Sequence, residues 1–132
     1  MNFYTLTYDE TKIKFPILVK DIERSLSRYN NKINLVSLSG DVSRIETLDG
    51  RLDNPGWKDA PVTFMCKYKL KNSEAEEKNI NVSLHYRRNR LHRQGGKPAI
   101  YIYENYNVNL FEEIWIDDQH IEKSDFCPLL HL

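Results

Sequence analysis

The stretch SLHYRRNRLHRQGGKP, residues 83–98, returns later in the chain in a degenerate form. A shift of 30 positions aligns it without a gap with EIWIDDQHIEKSDFCP, residues 113–128. A looser copy precedes both, since Gly50-Arg51-Leu52 aligns with Asn89-Arg90-Leu91. Each copy reads as a strand, a polar turn pair, a short basic and apolar segment, a loop, and a proline before the next strand. Because one hairpin cannot bury its own apolar face, the copies are expected either to stack or to join one sheet.

Pro16 and the residues after it predict one amphipathic helix over residues 17–29. Proline suits the first turn of a helix, and an apolar stripe follows it at intervals of three and four residues. An N-terminal hairpin is expected before the helix, from short strands at 3–8 and 12–15. The stripe consists of Leu18, Ile22, Leu26 and Tyr29.

Alternating apolar and polar residues after position 32 predict strands in an antiparallel meander, because the connections are too short for parallel crossovers. The predicted fold class is therefore α+β, mostly antiparallel β, with an N-terminal hairpin and one helix followed by hairpin repeats. The chain is expected to form a single domain, 1–132, with a strand-helix part at 1–43 and the repeats at 44–132. The strands are expected at 33–38, 44–48, 62–70, 80–87, 100–103 and 108–116, with a turn at 104–107.

Charge and composition limit the classes of function. The chain has 19 basic and 19 acidic residues, which argues against a protein that coats nucleic acid with a broad basic surface. No apolar run is long enough to span a membrane, and no secretory signal precedes the first strand. These features favour a cytoplasmic protein with reduced cysteines and no membrane partner, and they leave a homo-oligomer open.

The part of the chain from about 44 to 130 resembles a family of tandem repeats of the type W-x-I-N-G-K-L-H-R-x-x-G-P-A-x-I-x-Y, which occurs in uncharacterised proteins of bacteria, phages and large DNA viruses. Leu91-His92-Arg93 and Pro98-Ala99-Ile100 match the centre of the pattern, and residues 113–118 match its start. Lys97 departs from it, as an insertion before the proline. The family has no assigned activity, so the resemblance implies β-hairpin repeats and no catalytic residues.

The densest basic run lies at residues 87–93 and is a candidate contact for RNA or single-stranded DNA. Arginine and lysine bind phosphates, and the neighbouring Tyr101 and Tyr103 could stack on bases. The alternative is a solvated turn whose arginines pair with Glu112, Glu113 or the acidic loop at 74–77. The recurrence of Leu-His-Arg in the repeat pattern favours a structural histidine that bonds to the loop backbone. The candidate residues are Arg87, Arg88, Arg90, His92 and Arg93.

Several large aromatic residues form a candidate surface for binding a protein partner. Aromatic residues on a partly polar surface are enriched at protein interfaces. The alternative is that these rings cover a thin sheet that has little other material for a core, and the two readings do not exclude each other. The candidate residues are Trp57, Tyr101, Tyr103, Tyr106 and Trp115.

The sequence predicts no catalytic, metal or cofactor site. The histidines lack zinc spacing with the cysteines, and Gly95-Gly96-Lys97 leads into a strand rather than the helix that a phosphate loop needs. A nucleophile pair of Cys127 with His131 or His92 is the most distant alternative. The leading expectation is a non-enzymatic protein-binding factor, such as a phage- or mobile-element-encoded inhibitor of a host protein or an immunity protein. The alternative is binding of RNA or single-stranded DNA through residues 87–93.

Overall fold

The computed structural model describes residues 2–29, 39–54, 58–68, 78–104 and 109–122. It has the α+β class that the sequence predicts, with a strand and helices followed by antiparallel strands. The elements are β1 (Asn2–Thr7), α1 (Tyr8–Lys14), α2 (Pro16–Tyr29), β2 (Ser39–Leu48), β3 (Arg51–Leu52), β4 (Val62–Tyr68), β5 (Lys78–Leu84), β6 (Tyr86–Arg87), β7 (Arg90–Leu91), β8 (Ile100–Tyr103), β9 (Phe111–Ile116) and β10 (Gln119–Ile121).

The predicted N-terminal hairpin is wrong, because α1 occupies the place of its second strand and β1 pairs with β2 instead. A capping box starts this helix. The Thr7 side chain accepts a hydrogen bond from the Glu10 N–H at 3.2 Å, and the Glu10 carboxylate accepts one from the Thr7 N–H at 3.0 Å. Two backbone donors are thus satisfied at the helix start. The described ranges therefore contain two helices, where the sequence predicted one.

α2 confirms the predicted amphipathic helix and begins at Pro16, as expected. Leu18, Ile22 and Leu26 are fully buried, and they join the apolar residues on one face of the sheet in a continuous core. Tyr29 is half-buried and packs edge-on against Phe111, with ring centroids 6.2 Å apart. No helix in the described ranges is long and apolar enough to cross a bilayer.

The predicted antiparallel meander is confirmed, with the strand order β1-β2-β4-β5-β8-β9-β10 and β3 paired to β2. β2 begins at Ser39, where the sequence suggested that a strand ends, and a bulge near Arg44 (φ 58°) lets it continue. The strand predicted at 80–87 breaks at His85, after which β6 and β7 form a separate two-stranded ladder. The predicted strand at 33–38 and most of the predicted turn at 104–107 lie outside the described residues.

Three two-residue turns recur along the chain and together form what we call the turn row. Each turn joins a hairpin, β2–β3, β6–β7 or β9–β10. All six turn residues have φ values between 46° and 77°, which is the left-handed geometry of type I′ turns. These are the turn pairs that the sequence predicts: Asp49-Gly50, Arg88-Asn89 and Asp117-Asp118.

Neighbouring hairpins are joined by the same pair of hydrogen bonds. The Asn89 N–H donates to the Leu52 carbonyl at 2.8 Å, and its Oδ1 accepts from the Leu52 N–H at 2.7 Å. Asp118 makes the same two bonds to Leu91, at 2.9 and 2.7 Å. The second residue of a turn thus satisfies both backbone groups of a buried leucine in the preceding hairpin.

The register between the second and third hairpins corrects the sequence alignment by one residue. The Asn54 N–H donates to the Tyr86 carbonyl, and the Arg93 N–H donates to the Trp115 carbonyl in the same way. Trp115 is therefore the counterpart of Tyr86, a shift of 29 positions rather than the 30 of the ungapped alignment. Because side chains alternate between the faces of a strand, a slip of one residue exchanges its inner and outer positions.

We expect Asn89→Gly to lower the free energy of unfolding by about 1–3 kcal/mol, because the buried Leu52 N–H loses its acceptor. Glycine accepts the φ of 67° at this position, so backbone strain does not contribute. Arg88→Gly is the matched control, since it alters the same turn and leaves both bonds in place. Urea unfolding of the two variants checks the prediction, which equal stabilities would contradict.

Candidate nucleic-acid interface at the hairpin turns

The turn row brings four arginines around one cleft of about 310 Å³. All four side chains are exposed. Within the described ranges, no carboxylate lies within ion-pair distance of any of their guanidinium groups. We call this site the arginine cleft, and its lining consists of Arg51, Arg87, Arg88, Arg90 and Asp117.

Pairing between and within the hairpins explains why these arginines converge. Arg51 and Arg90 directly follow the turns of consecutive hairpins, which the bonds between Leu52 and Asn89 hold side by side. Arg87 lies directly opposite Arg90 in the β6–β7 pair. Like charges at directly opposed positions destabilise a strand pair. The arrangement therefore favours a bound anion, which would relieve this repulsion.

Arg88 occupies the first turn position, with a φ of 48°. The other two turns have aspartate at this position, a residue type that visits left-handed geometry more readily. For an ordinary L-residue this conformation costs about 1–2 kcal/mol. The fold thus holds a long cationic side chain at the tip of the turn at some expense in stability.

His92 and Arg93, which the sequence grouped with the turn arginines, have structural contacts instead. The Nδ1 atom of His92 accepts a hydrogen bond from the Asp117 N–H at 3.1 Å. Arg93 donates to both carboxylate oxygens of Asp59, at 2.9 and 2.7 Å, and to the Pro98 carbonyl at 3.0 Å. The predicted bond from a structural histidine to the loop backbone is confirmed, and Arg93 is paired rather than free for a phosphate.

Asp59 organises the region behind the arginine cleft. The hydrogen bond from Arg93 lowers the pKa of Asp59, and the nearby His85 and Lys97 act in the same direction. His85 is 3% exposed, and its Nδ1 lies 3.6 Å from Asp59. Desolvation, followed by the charge of Arg93, lowers the pKa of His85 to about 4. His85 is therefore neutral at physiological pH.

The candidate aromatic surface is divided by the structure. Tyr101 and Tyr103 are half-buried on the sheet face opposite the helices, with their rings stacked at 6.1 Å. Trp115, expected at the surface, is only 6% exposed, because the corrected register turns it toward α2. The Arg24 guanidinium lies 4.9 Å from its ring centre, and the His120 ring stacks on it at 5.1 Å. Trp57 and Tyr106 lie outside the described residues.

One of the acidic partners expected for the basic run, Glu113, is paired with residues of other elements. The sequence alternative paired the turn arginines with Glu112, Glu113 or the loop at 74–77. Glu113 is buried, and its carboxylate pairs with Arg28 from α2. The Nε2 atom of His120 lies 3.4 Å from the same carboxylate. The loop at 74–77 lies outside the described residues, as do Cys127 and His131. In the described ranges, no three histidine, cysteine or acidic side chains converge as a metal site requires.

Sequence reasoning missed Arg51, Asp59 and Asp117. The first of these could have been found, because the alignment of Gly50-Arg51-Leu52 with Asn89-Arg90-Leu91 places Arg51 and Arg90 at equivalent positions. Asp59 carries no such signal, since it meets Arg93 only through the tertiary fold.

Comparison with protein-family models, with curated proteins and with solved structures found no match to this chain. The resemblance to the tandem-repeat family therefore stays a prediction.

We expect the free energy of unfolding to fall as the pH decreases from about 6.5 toward 4, by up to about 1.4 kcal/mol per pH unit from His85 alone. The unfolded chain takes up a proton near the ordinary histidine pKa, whereas folded His85 resists protonation until its own pKa of about 4. His85→Gln removes this contribution. Urea unfolding at several pH values checks it, and a variant with the wild-type slope would contradict the assignment.

Proposed function

We propose that the protein is a non-enzymatic nucleic-acid-binding protein whose arginine cleft holds phosphate groups of RNA or single-stranded DNA. The observation that carries the proposal is the convergence of four exposed arginines from two hairpins, without carboxylate partners in the described ranges, on one cleft. The planar guanidinium group matches a phosphate through two parallel hydrogen bonds.

The conformation of Arg88 supports the proposal independently of charge. Strained backbone conformations persist where the surrounding structure enforces them, and they concentrate at functional sites. The φ of 48° holds the Arg88 side chain at the mouth of the cleft, where glycine, asparagine or aspartate would take the same backbone geometry at lower cost. An arginine at this position is better explained by a ligand than by the stability of the turn.

The size and charge of the site favour a short contact. The chain has no net charge, so it lacks the broad basic footprint of a protein that follows a long polyanion. Four arginines can neutralise about three or four phosphates, and a single strand gives a salt slope of about 0.7 per contact. We therefore expect a slope of about −2 to −3 in a plot of log affinity against log salt concentration.

Charge reversal at Arg88 and Arg90 should abolish salt-sensitive binding. We expect Arg88→Glu with Arg90→Glu to lower affinity at low salt at least about tenfold, and to reduce the salt slope by about 1 or more. Fluorescence anisotropy with labelled 12-nucleotide RNA and DNA, between 25 and 200 mM salt, measures both quantities. Lys12→Glu with Lys20→Glu, at two exposed helix positions, is the control of equal charge change.

Two results would contradict the proposal: no salt-sensitive binding of either oligonucleotide by the wild-type protein, or equal losses in the arginine and lysine variants. An equal loss would mean that only the total charge of the protein matters.

Arg88→Gly separates binding from folding. Glycine relieves the left-handed strain, so the variant should be at least as stable as the wild type, while it loses one of the four cationic groups. We expect its affinity for the 12-nucleotide RNA to fall about three- to tenfold at low salt. Thermal unfolding measures the stability of the variant, and anisotropy on the same samples measures its affinity. Unchanged affinity would mean that Arg88 makes no contact with the ligand.

Protein binding is the second proposal, and fewer of its predicted residues are accessible. Of the five aromatic residues predicted for a partner, Tyr101 and Tyr103 are the half-exposed members in the described ranges, and Trp115 lies in the core. An inhibitor or immunity role, a phage or mobile-element origin and a cytoplasmic location rest on the sequence pattern alone. A partner protein retained by the arginine variants and lost by tyrosine variants would favour this proposal.

A further inference from the structure

The sheet face opposite the two helices carries a second cleft, of about 520 Å³, at the ends of β2, β4 and β5. We call it the sheet cleft. Both described helices pack on the other face. On this face Ser83 is buried beneath the neighbouring side chains, whereas Met65, Lys67 and Asn79 are exposed. The lining consists of Gly40, Asp41, Met65, Lys67, Asn79, Ile80 and Asn81.

A stack of planar groups connects the second hairpin with the sheet cleft. The Arg93 guanidinium lies 5.6 Å from the centre of the Tyr101 ring, and that ring stacks on Tyr103 at 6.1 Å with an interplanar angle of 26°. Tyr103 pairs across the strands with Asn81, so the two side chains share one face of the sheet. In the described ranges, no other ring or cation lies on Tyr103, which ends the stack beside the cleft.

The lining of the sheet cleft combines an apolar contact with groups that bind the edge of a base. Met65 is 59% exposed and offers a polarisable thioether to a flat partner. Asn79 and Asn81 each present an amide, which both donates and accepts hydrogen bonds. Lys67 adds a positive charge, which offsets the exposed Asp41 carboxylate in the same lining. A duplex would keep its bases stacked inside, whereas a single strand can turn one base out toward such a surface.

We propose that the sheet cleft binds an unpaired base, stacked beside Tyr103, of the same single strand whose phosphates the arginine cleft holds. This inference rests on the proposed function and adds that the ligand is recognised as a single strand. The segment from Arg90 to Arg93, about 10 Å along an extended chain, leads from the turn to the stack. The rings of Tyr101 and Tyr103 continue from there toward the sheet cleft. Oligonucleotides of about 8 to 12 nucleotides are long enough to reach both.

The test compares a ligand that has bases with one that has only phosphates. Isothermal titration calorimetry measures the affinities of a 12-nucleotide oligouridylate and of inorganic polyphosphate. We expect Tyr103→Ala to weaken binding of the RNA by about 5- to 150-fold, the range for one stacked base, and to leave polyphosphate binding unchanged. Tyr103→Phe keeps the ring and should retain RNA affinity within about twofold of the wild type.

Met65→Glu provides a second variant that does not depend on the half-buried tyrosine. It places a negative charge in the cleft at an exposed position, so it should weaken RNA binding selectively without unfolding the protein. Ile13→Glu is the matched control, because Ile13 is an exposed apolar residue on α1, 85% accessible. It should bind both ligands as the wild type does.

The outcomes separate this inference from the proposed function. Selective loss of RNA binding in Tyr103→Ala and Met65→Glu supports the base site. Unchanged RNA binding in both, or equal losses of RNA and polyphosphate, overturns it while the arginine cleft stands. If the Arg88→Glu and Arg90→Glu double variant binds both ligands like the wild type, the proposed function fails, whatever the tyrosine variant does.

Discussion

The structure depends on the pair of hydrogen bonds that the second and the third turn each make to the hairpin before it. In each of these left-handed turns the second residue, Asn89 or Asp118, donates its N–H to the carbonyl of a leucine. Its side-chain oxygen accepts a hydrogen bond from the N–H of the same leucine, so both backbone groups of this buried residue are satisfied. A buried donor without a partner costs about 1–3 kcal/mol, so this residue type is strongly favoured there. Gly50 has no such oxygen, and it stands in the first turn of the described series, where open space surrounds the position of a Cβ atom.

Local signals in the sequence predicted much of this fold. The turn pairs and the helix after Pro16 each depend on neighbouring residues, and they are confirmed, as is the antiparallel meander. α1 was missed because Asp9 and Glu10 suit both a turn and the first turn of a helix, and only the reciprocal bonds with Thr7 decide between them. The alignment of the third hairpin failed by one residue for a different reason. Its register is fixed by bonds from Asp118 and Arg93 to other segments, which no local pattern records.

For the candidate site as well, features that depend on neighbouring residues were predictable and features that depend on distant segments were not. Arg87, Arg88 and Arg90 were predictable because they are contiguous with a turn that the sequence identifies. Arg51 enters the cleft only when hairpins are stacked, and the status of Arg93 depends on Asp59, which lies on a separate loop. Charge density along the chain therefore identified where cations are concentrated. It did not distinguish cations that are paired within the fold from those that face solvent, because that difference is a property of spatial neighbours.

The hairpins share the same backbone arrangement but differ in charge. This difference limits the path that a bound polyanion could follow from the proposed site. At the positions of Arg87, Arg88 and Arg90, the third hairpin has Ile116, Asp117 and Gln119. Asp117 borders the arginine cleft and repels a polyanion that would continue along the turn row. A nucleic-acid strand bound as proposed to the first two hairpins would thus be directed away from the third. Arg93, which follows β7, and the rings of Tyr101 and Tyr103 in β8 form a continuous stack that leads to the sheet face opposite the helices.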